Sequence, residues 1–142
     1  MKKYLVIGLV FVFLMCFAGK IFAFEASLLG GFTYMGVSGG LTVEQSISST
    51  TKIRAGGSIC GPTSLIVYIL GTKSLIGKIG DVYPVHFLLN AYYKEATKLG
   101  SPGFSFLFDN MFNQKQASFE LGTEIRNSGL TPYFMLGYNF NL

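Results

Sequence analysis

The chain has 142 residues, a net charge of +4, half its residues apolar and only 13% charged. With a mean hydropathy of +0.47, this excludes a disordered chain, which needs low hydrophobicity and high charge, and leaves room for one domain but little for two. The basic balance raises the question of nucleic acid, and the position of the charge decides it.

Residues 1–23 have the order of a secretory signal peptide. Met1-Lys2-Lys3 is a short basic start, Tyr4 to Ala18 is an unbroken apolar run, and Ile21-Phe22-Ala23 supplies a small residue at the cut. Cleavage is expected after Ala23, although the bulk of Ile21 leaves the bond itself open. An uncleaved anchor is the rival, but the run is shorter than the ~20 residues of a spanning helix. Phe13-Leu14-Met15 before Cys16 are too large for a lipoprotein signal. Losing Lys2, Lys3 and Lys20 leaves 8 basic residues against 7 acids, a net charge of +1. No basic cluster then remains for nucleic acid. Cys60 becomes the sole cysteine, so no internal disulfide forms; a small buried hydrophobe is its plainest role.

Residues 24–142 alternate with period two, the mark of strands. Ala26, Leu28, Gly30, Phe32 and Tyr34 form an apolar face. Leu41, Val43, Gln45 and Ile47 alternate with Thr42, Glu44, Ser46 and Ser48. Ile53, Ala55, Gly57 and Ile59 alternate with Lys52, Arg54, Gly56 and Ser58. Breaks are expected at Gly36–Gly40, Ser48–Thr51, Cys60–Thr63, Gly71–Lys73 and Lys98–Gly103. Residues 74–82 are the weakest segment, either joined to 84–94 or partly loop. Val85, Leu88, Leu89, Tyr92 and Ala96 follow helical spacing after Pro84. As a strand the same stretch puts Val85, Phe87, Leu89, Ala91 and Tyr93 on one face, and Tyr92-Tyr93 favours this reading.

Phe104, Phe106 and Phe108 form the next apolar face. Ala117, Phe119, Leu121, Thr123 and Ile125 alternate with Ser118, Glu120, Gly122, Glu124 and Arg126. After the turn residues Asn127-Ser128-Gly129, Leu130, Pro132, Phe134, Leu136, Tyr138, Phe140 and Leu142 form one face of a final strand. The apolar faces are large and aromatic, and the opposite faces carry Gly, Ser, Thr, Asn and balanced charge. That distribution suits a polar interior with a lipid-facing exterior. Tyr34, Tyr68, Tyr83, Tyr92, Tyr93, Tyr133 and Tyr138 are candidates for interfacial girdles.

The closing residues Gly137-Tyr138-Asn139-Phe140-Asn141-Leu142 resemble the C-terminal assembly signal of small bacterial outer-membrane β-barrel proteins, of the eight-stranded, porin-like kind. Gly137, Tyr138 and Phe140 match its positions; Leu142 departs, since the family prefers Phe or Trp there. The resemblance implies an all-β fold, an antiparallel up-and-down transmembrane barrel of about eight strands over residues 24–142. It also implies an outer-membrane location, contact with outer-membrane lipid, and transit by periplasmic chaperones and the barrel-assembly machinery. Eight strands of about ten residues fit the 119 residues available, and larger barrels do not.

Such a barrel is only wide enough for side chains to fill. Glu44, Lys52, Arg54, Glu120, Glu124 and Arg126 would face inward as a lumenal ionic network, with Glu44 opposite Arg54. Structural ion pairs are favoured over a gated ion path, because an unpaired charge there is costly. Ser74 or Ser105 with His86 and an acid could form a hydrolase site, but no spacing supports it, and an enzyme is not expected. One His and one Cys make no metal cluster, the glycines make no phosphate loop, and no cofactor is expected. The expected function is a structural or surface-interaction role in the outer membrane. The rivals are a secreted or periplasmic soluble β-barrel or sandwich binding a small apolar ligand, and a small pore.

Overall fold

The structure is a computed structural model that describes residues 7–8 and 24–141. The leader expected over 1–23 lies outside them, residues 7–8 apart, as does Leu142.

Eight strands account for nearly all of the described chain. They are β1 (Phe24–Thr33), β2 (Gly36–Ser46), β3 (Thr51–Cys60), β4 (Leu65–Ile79), β5 (Tyr83–Lys94), β6 (Leu99–Asp109), β7 (Ala117–Arg126) and β8 (Gly129–Asn141). Each pairs antiparallel with the next, and β1 pairs with β8 to close the barrel. Closure leaves no edge strand, the requirement for a sheet in hydrocarbon. The even count brings Phe24 and Asn141 to one rim, here the near rim. The far rim carries the four hairpin turns that follow β1, β3, β5 and β7.

The strand reading of 84–94 holds, and β5 covers it. The expected break at Gly71–Lys73 does not exist. These residues lie within β4, which runs on through 74–79 with a bulge between Leu75 and Gly77 before turning at 80–82. The glycine stretches 36–40 and 98–103 are also mostly strand, in β2 and β6. Gly36 keeps a positive φ of 105° beside the β1–β2 turn, but several strand glycines mark close approach instead. A Cβ on Gly56 would lie 2.7 Å from the Thr42 Cα across the β2–β3 seam, and one on Gly40 2.8 Å from the Ser58 Cα. Inward glycines let neighbouring strands bend together so that a narrow barrel can close. The turn at Asn127-Ser128 is as expected, and Gly129 supplies its positive φ of 118°.

Alternation sorts the wall into two faces. Leu41, Leu70, Leu89 and Leu121 point outward and are half or more exposed. Thr42, Arg54, Leu88, Ser105 and Glu120 point inward and are buried. The core is therefore the lumen.

Candidate functional site in the barrel lumen

The lumen is built around charge. Glu44, Arg54, Lys73 and Glu120 are only 2–3% exposed, so each needs a partner. Glu44 and Arg54 are register neighbours across β2–β3, as expected, but they are not the ion pair. Arg54 Nη1 instead lies 2.9 Å from Glu120 Oε2, on β7 across the lumen. Glu44 Oε2 lies 3.1 Å from Lys73 Nζ on β4. The reason is geometric: in a narrow closed barrel, a long guanidinium reaches the opposite wall.

Glu120 also accepts from two hydroxyls through Oε1, Ser105 Oγ at 2.7 Å and Tyr133 at 2.9 Å. The Tyr133 and Tyr92 hydroxyls are 2.5 Å apart, their rings edge to face. These two tyrosines therefore leave the proposed girdle and join the lumen. Beside them sits an apolar cluster of Cys60, Val67, Ile69 and Tyr92, packed by Met35 and Tyr133. Cys60 Sγ lies 3.1 Å from Ser38 Oγ.

Further pairs sit toward the two rims. Lys52 Nζ and Glu25 Oε2 are 2.7 Å apart, and His86 Nε2 and Asp109 Oδ2 2.8 Å apart. Toward the far rim, Lys94 and Ser101 both donate to Glu124 Oε1. Arg126 does not join the ion pairs. Its guanidinium lies 4.1 Å from the centre of the Tyr34 ring, a cation–π contact.

Around the Arg54–Glu120 pair the lumen holds little free space. A cavity of about 40 Å³ lies beside Arg54 and Glu120. It suffices for water, which could serve the buried Arg54 Nε that has no hydrogen-bond partner among the described residues. It is far below the roughly 300–1,000 Å³ of a small-molecule pocket. The Ser–His–acid combination is not assembled. Ser105 is bonded to Glu120, His86 is paired with Asp109, and Ser74 Oγ lies 3.5 Å from Thr51 Oγ1.

Lys73, Lys94, Glu25, the His86–Asp109 pair and the lumenal tyrosines were missed by the network read from the sequence. Lys73 was legible: Val67, Ile69, Gly71 and Lys73 share one parity, opposite Tyr68, Leu70 and Thr72. Of the terminal residues, Tyr138 and Phe140 face outward, their ring centres 4.9 Å apart. Gly137 faces inward, where a Cβ would meet the Leu29 side chain at 3.3 Å.

The outer face is the reverse of the lumen. Among the described residues it carries no charged side chain between the rims, and Lys78, Asp81, Glu95, Lys98 and Lys115 all lie at turns or strand ends. No protein-family model matches the chain, and no curated protein matches it. A solved chain described as "De novo design of transmembrane beta-barrels" is similar in fold. Its TM-score is 0.56 at 13% sequence identity, covering 83% of this chain and 95% of that one. The chain is thus a closed eight-stranded antiparallel up-and-down barrel that resembles a transmembrane β-barrel.

Proposed function

We propose that the protein is an integral outer-membrane β-barrel, exported through a cleaved leader at residues 1–23, with a structural or surface-interaction role and no catalytic one. The observation that carries this reading is the inverted distribution of polarity. Buried ion pairs fill the interior, while leucine, isoleucine and phenylalanine cover the uncharged outer wall. In water that wall would expose large apolar side chains on every side of the barrel, which soluble monomers avoid. Hydrocarbon solvates it and tolerates the backbone because the sheet is closed.

The same distribution argues against the rivals. A soluble binder of apolar ligands needs an apolar, roomy interior, and the middle of this lumen is ionic and filled. A pore needs a continuous water path, and the Arg54–Glu120 pair spans the middle. In this reading membrane lipid is the permanent partner, and chaperones and the assembly machinery are transient ones. The test is cell fractionation with gel mobility. The folded protein is expected in detergent-extracted outer membrane, as a band that shifts on boiling. Recovery in the soluble periplasmic fraction would refute the proposal.

A further inference from the structure

The β6–β7 seam is the shortest in the barrel. Its pairing runs only from Gly103↔Glu124 to Asp109↔Ser118. Yet β6 begins at Leu99 and β7 continues to Arg126. Toward the far rim the two strands therefore part, each keeping its other neighbour. Leu99 to Pro102 stay paired with β5, and Ile125 and Arg126 with β8. Pro102 stands at the parting and has no N–H to give to a ladder. The Glu124 carbonyl accepts from the Thr131 hydroxyl at 3.1 Å.

A cavity of about 470 Å³ opens there. Its outer lips are Pro102 and Ile125, which face away from the lumen and are exposed. Its inner wall carries Lys94, Ser101 and Arg126. Lys94 and Arg126 lie 5.0 and 4.1 Å from the centre of the Tyr34 ring. Only Glu124 balances these two cations, and it is engaged by Lys94 and Ser101. Arg126 has no carboxylate partner among the described residues. The site is therefore net positive within and apolar at its lips.

Depth follows from the backbone. Unpaired strand edges are not tolerated in the hydrocarbon core, so this parting lies at headgroup level if the barrel spans a membrane. We propose that the opening between β6 and β7 holds a membrane lipid with a net-anionic phosphate headgroup. The headgroup enters toward Arg126, and the chains lie outside against Pro102 and Ile125. This rests on the membrane reading above.

The test uses the whole protein in phosphatidylcholine vesicles with a trace of spin-labelled phosphatidylglycerol or phosphatidylcholine. The motionally restricted spectral fraction reports lipid held at the wall. The wild type is expected to prefer phosphatidylglycerol about fivefold, the scale of one cation at a lipid surface. Arg126→Gln should lose most of that preference, and Lys115→Gln at the near rim should keep it. Equal binding of both lipids by an inserted wild type, or a preference retained in Arg126→Gln, overturns the site. Abolition of the preference by millimolar inorganic phosphate makes it a free-anion site and overturns the lipid assignment. Failure of the wild type to insert overturns the membrane reading itself, and this site with it.

Discussion

Arg54 on β3 pairs with Glu120 on β7, four strands away, and not with Glu44 on the adjacent strand. The barrel is thus braced across its interior as well as along its seams. Both side chains are almost fully buried, so removing one strands the other. Arg54→Met or Glu120→Leu alone should cost about 3–5 kcal/mol, and the double variant much less than the sum. Urea unfolding of the vesicle-inserted barrel measures the cycle. Simple additivity would disprove the pairing.

Leu121 lies midway along β7 on the exposed outer face. Leu121→Arg should cost about 2–4 kcal/mol in a bilayer, as charge at midplane depth does. A soluble barrel would accept that change with little loss. Unfolding midpoints in vesicles, compared with Lys115→Arg at the rim, separate the two cases.

The Tyr92–Tyr133–Glu120 hydrogen-bond chain links buried Tyr92 and Glu120 through half-buried Tyr133. Tyr133→Phe removes a bond to a charged acceptor and leaves Tyr92 without its partner. A loss of about 1–3 kcal/mol is expected, read by the same unfolding experiment.

Two glycines on opposite faces should respond differently to a side chain. A Cβ at Gly56 meets the Thr42 Cα at 2.7 Å, while one at Gly30 meets nothing within 4 Å. Gly56→Val should abolish the heat-modifiable band, and Gly30→Val should keep it. Equal yields of folded protein would show that the close approach is not needed for closure.

Cys60 is 1% exposed. A water-soluble maleimide should leave it unlabelled in the folded barrel and label it after unfolding. If the leader is cleaved, the unfolded mature chain takes up one label, since Cys16 departs with residues 1–23. Mass spectrometry counts the additions.

Alternation carried most of the fold. It separated Glu44, Arg54, Glu120 and Glu124 from Leu41, Ile53, Leu121 and Ile125, because neighbouring side chains of a strand point to opposite faces. Glycine is where the local pattern misleads, because in this barrel it sits inside strands as well as in turns. Gly71 interrupts the pattern of β4 in the sequence, yet in the barrel it makes room beside Asn90, where a Cβ would meet that residue's Cα at 3.1 Å. Treating it as a break also hid Lys73, and with it the partner of Glu44.

The sequence by itself determined the strand-rich chain, its greasy and polar faces, and the hairpin at Asn127-Ser128-Gly129. Those are local properties, set by side-chain parity and turn chemistry. Only the tertiary structure decided that Arg54 meets Glu120, that the Tyr92 and Tyr133 hydroxyls meet, and that β6 and β7 part below the far rim. Each depends on register and closure, which bring strands distant in sequence to opposite walls of one narrow lumen, and no local pattern encodes that distance.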